Sequence, residues 1–306
     1  MTTTKQAILF LAVFFAFVAI SFQLYQFWLL KETQFIELDE QLDEISGIEF
    51  DKRGNLWAIN DGGDKPRLYQ IDSDGKVSRT IDIENAKNWD WEDMTQNDFG
   101  HFFIGDFGNN SKDREWMTIY KIENPIDIKS ASTRAEVIKF TYPDFDDQDS
   151  SDHFADAHYD IEAFVYFKRR LYLFTKNRSL PFDGKTRLYR IGDHAANFKA
   201  EFIGEFSSCS TLRELCWITS AALSPDRSKL VLLGSDRLWL FEDWEGDNFF
   251  SGQIYQIDLG LVTQKEAVTF KNDTTVIFTD EIFNGIGGNG YEINLNSATR
   301  KRFTVN

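Results

Sequence analysis

The chain has 306 residues and a formal net charge of −16, from 33 Lys and Arg against 49 Asp and Glu. A surface this acidic repels nucleic acid and anionic lipid, which leaves cations and cationic partners as the charged species it suits. Aromatic residues make up 15% of the chain, 29 residues are Phe and only 5 are Pro, and beyond residue 34 no long helical periodicity appears, so many short strands are expected.

In chain order, the first predicted element is a hydrophobic helix. Residues 6–30 carry no charge, and 25 helical residues at ~1.5 Å each reach ~37 Å, enough to cross a ~30 Å hydrocarbon layer. Tyr25, Phe27 and Trp28 stand toward its far end, as interfacial rings do. Lys5 and the amino terminus form the positive flank, which places residues 1–5 in the cytoplasm and residues 31–306 on the periplasmic or extracellular side of the cell membrane. Ala19-Ile20-Ser21 offers the competing reading, a signal-peptide cleavage site, but the apolar run continues to Leu30 and favours a single-pass anchor.

Residues 31–306 then repeat one plan five times. The first unit reads Ile45–Phe50, Asn55–Asp61 and Arg67–Asp72. The second reads Asp90–Met94, Phe102–Asp106 and Thr118–Ile122, and the third Asp160–Phe164, Leu171–Lys176 and Arg187–Ile191. The fourth reads Ile218–Ala222, Leu230–Ser235 and Arg237–Phe241, and the fifth Lys265–Phe270, Val276–Asp280 and Gly290–Asn294. Fourth strands follow most units, at Arg79–Ile83, Glu136–Tyr142, Ala200–Phe206 and Gln253–Leu259. Four strands per unit of ~45–70 residues is the plan of a propeller blade, so the fold class is an all-β, five-bladed β-propeller of four-stranded blades. Six blades remain open if residues 127–158 conceal a degenerate one. Gln34–Leu38 and Arg302–Val305 compete to complete the last blade and fasten the ring.

Aligning the units on their first strands brings one column into view: Ser46, Glu92, Glu162, Thr219 and Glu266. Each is an oxygen-bearing side chain among apolar or small neighbours, and the first strand of a blade lines the central channel, so the five should converge on the axis. Asp90 and Asp160, two residues earlier on the same face, add carboxylates at the mouth. The ends of the second strands add Asn60, Asp61, Asp106, Asn109, Lys176, Ser235, Asp280 and Glu281. The turns Asp61-Gly62-Gly63 and Gly105–Asn110 belong at the same end.

Several carboxylates around one axis raise each other's pKa, and a hard cation with oxygen ligands relieves that repulsion. Glu92, Glu162, Glu266, Asp90 and Asp160 are therefore candidate ligands of a Ca²⁺-type ion. An internal ion pair with Lys176, or hydrogen bonds to neighbouring blades, would relieve it without metal. Nothing in the sequence calls for a nucleotide, haem or zinc. Gly285–Gly290 matches a dinucleotide-binding pattern in letters, but a strand follows it rather than a helix. The four histidines lack zinc-ligand spacing. Asp144–Asp156, with six aspartates, lacks the Gly and Glu of an EF-hand loop and reads as a solvated insertion. Cys209 and Cys216 are spaced for a local disulfide in an oxidising compartment, with two free thiols as the alternative.

The series Ser46-Gly47-Ile48, Asp90–Asp93, Gly105–Asn110, Asp160–Ala163 and Glu266-Ala267-Val268 resembles the bacterial SdiA-regulated, YjiK-like propeller proteins, and more distantly the phytase-like and esterase-like propellers. The resemblance spans about residues 35–295. It implies an envelope propeller with an acidic channel suited to Ca²⁺. Propeller phytases carry basic phosphate-binding residues at the mouth, where only Lys176 and Arg178 stand here. Two functions follow as expectations: a module binding a small molecule or an envelope protein, or a metal-dependent hydrolase of a phosphoester or lactone.

Overall fold

A computed structural model describes residues 11, 13–18, 20, 21, 34–112, 114–143, 158–208, 212–260 and 262–303. The chain divides into two units, Met1–Gln34 and Phe35–Asn306. In the first unit the described residues 11, 13–18, 20 and 21 are helical and exposed. No helix among the described residues is long and apolar enough to cross a membrane. Most of the expected anchor at residues 6–30 lies outside the described residues, as does the acidic stretch 144–157.

The second unit is a five-bladed β-propeller. Blade 1 holds β2 (Ile45–Phe50), β3 (Leu56–Asn60), β4 (Arg67–Ile71) and β5 (Val77–Ile83). Blade 2 holds β6 (Trp91–Gln96), β7 (Phe102–Asp106), β8 (Met117–Ile122) and β10 (Glu136–Thr141), and blade 3 holds β11 (Asp160–Phe167), β12 (Arg170–Lys176), β13 (Lys185–Gly192) and β15 (Glu201–Ser207). Blade 4 holds β16 (Ser220–Leu223), β17 (Lys229–Leu233), β18 (Arg237–Glu242) and β19 (Gln253–Asp258). Blade 5 holds β20 (Lys265–Asn272), β21 (Thr275–Asp280), β22 (Asn289–Asn294) and, as its outer strand, β1 (Gln34–Glu37).

The amino-terminal strand thus closes the ring. The competing carboxy-terminal strand β23 (Arg300–Phe303) instead pairs with β19 as a fifth strand of blade 4. Residues 127–143 hold no sixth blade. Their short β9 (Ser132–Thr133) pairs in parallel with β5. The strand β10 completes blade 2, and β14 (Asn197–Lys199) pairs in parallel with it. Three blades therefore carry five strands rather than the expected four.

The innermost strands β2, β6, β11, β16 and β20 each pack against the next, and β20 returns to β2. Twisted blades leave wedge-shaped gaps between them, and the abundant aromatics fill these gaps. Between blades 2 and 3 lie Phe103, Phe107, Phe140, Tyr142, Tyr166 and Tyr189. Between blades 3 and 4 lie Tyr172, Phe174, Phe206, Trp239 and Phe241. At the closure, Leu38, Leu42 and Ile48 meet Ala267 and Ile277. Burying one such side chain contributes roughly 1.5–3 kcal/mol, so the ring is held chiefly by these seams.

Candidate functional site

The inner strands carry one shared distortion. Pairing skips a residue between Ile45 and Gly47, Trp91 and Asp93, Ile161 and Ala163, and Lys265 and Ala267. In each case the extra residue of the bulge is a channel candidate: Ser46, Glu92, Glu162 or Glu266. In blade 4, Ser220 pairs with Leu233, and the Thr219 N–H also donates to the Leu233 carbonyl, at 3.0 Å. A bulge re-aims a side chain and locally breaks the two-residue alternation. Here it re-aims Ser46, Glu92, Glu162 and Glu266, one oxygen-bearing residue in each of four blades.

The next residue along each strand is small in four blades and acidic in one: Gly47, Asp93, Ala163, Ser220 and Ala267, all buried. These fill the axis. The Asp93 carboxylate accepts from the N–H groups of Phe164 (3.1 Å) and Ala221 (3.3 Å) and from the Ser220 hydroxyl (3.1 Å). The Ser220 Oγ in turn accepts from the Val268 N–H at 3.1 Å. Four blades are thereby tied by one carboxylate and one hydroxyl, and burial pushes the Asp93 pKa well above the usual range. The space above is a cup with a closed floor rather than an open hole. The sequence signal for Asp93 is a charged residue in a column of small ones.

Above that floor the carboxylates converge. Oxygens of Asp61, Asp90 and Glu92 lie within 4.8 Å of one another, and so do those of Glu92, Asp160 and Glu162. Lys176 Nζ is 2.8 Å from Glu162 Oε2, and the Arg178 Nε is ion-paired with Asp160 and its Nη2 lies 3.6 Å from Glu162 Oε1. Trp217 backs both cations, with its ring centre 5.1 Å from Lys176 Nζ and 5.0 Å from the Arg178 guanidinium. Its indole N–H is anchored on the Asn177 carbonyl at 2.6 Å. The internal ion pair expected of Lys176 is therefore formed, and it compensates the Asp160–Glu162 side of the cluster.

The titration behaviour follows from burial and crowding. Burial, then the charges of Glu162 and Asp61, push Glu92 well above the carboxylate range. Burial pushes Glu162 up to about 7 against the pull of Lys176, and Glu266 up to about 8. Burial with the charges of Asp61 and Asp160 brings Asp90 to about 6, and burial with Glu266 brings Glu281 to about 8. Burial raises Asp61 as well. Burial alone would lower Lys176, but Glu162, Glu266, Glu92 and Asp160 outweigh it and hold the ammonium above the usual lysine range.

The second-strand residues separate by register. Asp61, Lys176 and Glu281 influence the cluster, while their chain neighbours Asn60 and Asp280 face away from it. Asn60 Nδ2 donates to the Gln41 carbonyl at 2.7 Å and to Asp64 Oδ2 at 3.0 Å. Asp280 accepts from the Asn289 N–H at 2.9 Å and the Tyr291 hydroxyl at 2.8 Å. Asp106 shares the register of Asn60 and pairs with Arg114 at 3.0 Å, whose guanidinium also donates to the Gly108 carbonyl at 2.8 Å. The Ser235 hydroxyl donates to the Glu214 carbonyl at 2.9 Å, and Thr219 Oγ1 donates to the Lys265 carbonyl at 2.6 Å. These five fix the scaffold rather than line the cup. A strand period of two sends consecutive residues to opposite faces, so the single tier expected from sequence divides into two.

Both predicted turns reach the mouth. Gly108 lies so close to the acids that a Cβ on it would stand 2.1 Å from Glu92 Oε1 and 2.4 Å from Asp90 Oδ2. The Asn109 N–H donates to Asp160 Oδ1 at 2.8 Å. Ser46 Oγ is buried with no hydrogen-bond partner among the described residues. Cys216 is disulfide-bonded, and Cys209, the other cysteine of the chain, lies outside the described residues.

No protein-family model and no curated protein matches the sequence. Solved structures similar to the chain include a virginiamycin B lyase from Staphylococcus aureus with quinupristin, at 14% identity and a TM-score of 0.40. That alignment covers 82% of this chain and 65% of the other, so the chain spans less than two thirds of that relative. A PQQ-bound aldose sugar dehydrogenase from Streptomyces coelicolor aligns at 9% identity and a TM-score of 0.46, over 85% of this chain and 96% of that one. A protein described as a gluconolactonase aligns at 12% identity and a TM-score of 0.43, over 87% of this chain and 78% of that one. At these values the likenesses bear on neither activity nor ligand.

Proposed function

We propose that the protein is an extracytoplasmic propeller of the SdiA-regulated, YjiK-like kind, tethered to the cell membrane through residues 6–30. Its channel mouth binds a hard divalent cation of the Ca²⁺ type and receives a ligand or partner on that face. The observation that carries this reading is the unequal compensation of the acid cluster. Asp160 and Glu162 have Arg178 and Lys176 as counter-ions. Asp61, Asp90 and Glu92 stand together with no cationic side chain in contact among the described residues. Oxygen-only donors suit Ca²⁺ or Mg²⁺ rather than zinc. The unpartnered Ser46 Oγ in the same column is a further donor that an ion would satisfy. Of the ligands expected from sequence, Asp90 and Glu92 are thus retained, Asp61 joins them, Glu162 and Asp160 serve as anchors for the two internal cations, and Glu266 falls in neither group of acids within 4.8 Å.

Calorimetric titration of the full-length protein in detergent with Ca²⁺ tests the assignment. Glu92→Gln is expected to weaken binding by more than tenfold, because it removes a charged ligand. Wild-type affinity in Glu92→Gln and in Asp90→Asn would overturn it.

A second reading, a metal-dependent hydrolase of a phosphoester or lactone, is favoured by Asp90. Its carboxyl, pushed up to about 6, can hold or accept a proton near neutral pH, and it borders an open cavity. A bound ion would supply polarisation of the substrate oxygen and activation of water. Chelator-sensitive turnover of a phosphoester or lactone, lost in Asp90→Asn, would support hydrolysis. No turnover of either class by the Ca²⁺-saturated protein would remove it.

A further inference from the structure

Outward from Asp90, the mouth face of blade 2 opens into a cavity of about 670 Å³, within the size range of small-molecule sites. Two tryptophans line it: Trp89, in the link between β5 and β6, is 66% exposed, and Trp116, just before β8, is 40% exposed. Exposed indoles are unfavourable in water unless something covers them, and two bordering one cavity mark a contact surface.

The charge of this cavity is reversed relative to the molecule. Its wall holds Lys87, Arg114 and Lys139 against a single carboxylate, Asp90, in a chain of net charge −16. Arg114 is occupied by Asp106 and by the carbonyls of Asp106 and Gly108, and so forms a fixed wall. Lys87 and Lys139 have no acidic partner among the described residues, and both are exposed. Lys87 Nζ lies 5.1 Å from the centre of the Trp89 ring, which sets a cation beside an aromatic surface.

An organic cation fits poorly here, since the platform already has its own ammonium group and two further cations stand nearby. A flat apolar face matches the indoles, and an anionic substituent matches the free lysines. We propose that this groove binds an acidic saccharide, a sugar ring bearing a carboxylate or phosphate, with the ring against Trp89 and Trp116 and the anion at Lys87 and Lys139. The site goes beyond the cation reading and does not depend on it.

The test is calorimetric titration of the full-length protein with trigalacturonate, glucose 6-phosphate and the neutral maltotriose, each with Ca²⁺ and with chelator. At least one acidic probe is expected to bind at least tenfold more tightly than maltotriose, and which one binds identifies carboxylate or phosphate as the anion. Trp116→Ala and the double variant Lys87→Ala with Lys139→Ala should each weaken binding by roughly tenfold, a loss of about 1.4 kcal/mol, with an unchanged thermal midpoint. The same affinity in chelator separates this site from the cation site. Equal binding of maltotriose, no binding of either acidic probe, or indifference to both variants would overturn the proposal.

Discussion

Glu92, Glu162, Glu266 and Glu281 show how one residue type acquires two roles within a few ångströms. All four are raised above the ordinary glutamate value, and Asp61 and Asp90 are raised with them. The folded protein therefore holds protons that the unfolded chain releases, so stability falls as pH rises between about 4.5 and 8. Lys176, raised above its usual range, keeps its charge throughout that window and does not reverse the slope. Thermal unfolding in chelator is expected to show a midpoint that drops from pH 5 to pH 8, and Ca²⁺ should flatten the drop; a midpoint that climbs would contradict the crowding. The two glutamates at the centre should then respond with opposite signs at pH 8. Glu92→Gln removes a crowded carboxyl that has no cation in direct contact among the described residues and should raise the chelated midpoint by ~2 °C or more, at about 1.4 kcal/mol per pKa unit. Glu162→Gln leaves Lys176 without its 2.8 Å partner and should lower stability by roughly 3 kcal/mol. Shifts of the same sign in both variants would mean that the two carboxylates share one environment. The sequence groups both residues in one column, and their carboxylate oxygens lie within 4.8 Å of one another. It could not divide them, because the division depends on which of them Lys176 and Arg178 reach.

Among the elements, the strands were legible because alternation and turn residues encode them directly. The fourth strands predicted at Glu136–Tyr142 and Gln253–Leu259 appear as Glu136–Thr141 and Gln253–Asp258. The bulges were not legible, since a one-residue insertion leaves no mark in residue type, yet they decide which side chains see the axis. Asn60, Asp106 and Asp280 differ from Asp61, Lys176 and Glu281 for another reason, the alternation of faces at the ends of the second strands. The closing strand illustrates a different limit: Gln34–Leu38 and Arg302–Val305 both read as strands, and only packing selects between them. Ile36 lies against Gly290, where a Cβ would approach its Cγ2 to 2.5 Å, and the Leu38 N–H donates to the Gly288 carbonyl at 2.9 Å. Replacing Ile36 with Asp should unseat β1 and lower the thermal midpoint by roughly 5–10 °C, a few kcal/mol for a domain of this size. An unchanged midpoint would show that β1 does not hold the ring closed. At the mouth, Gly108→Ala should displace the Glu92 and Asp90 carboxylates, reducing Ca²⁺ affinity by tenfold or more with little change in fold stability. Wild-type affinity in that variant would mean the loop does not brace the acids.

For the whole molecule, the five-fold repeat determined the architecture, because a single blade cannot bury both faces and must stack on its neighbours. The blade number was readable from the recurrence of the first-strand column, and β9 and β10 removed the sixth-blade alternative by joining blades 1 and 2. The closed floor under the acids was harder to see, since it depends on four small residues and Asp93 meeting at one level. That floor closes the axis beneath the carboxylates, and Asp90 borders the groove of blade 2. The most direct measurement of the cup's role is anomalous diffraction from a crystal of the protein grown with Ca²⁺ or a lanthanide. A single strong peak within bonding distance of Asp61, Asp90 and Glu92 is the expected result. A peak elsewhere on the propeller, or none at saturating ion, would contradict a cation site at the mouth.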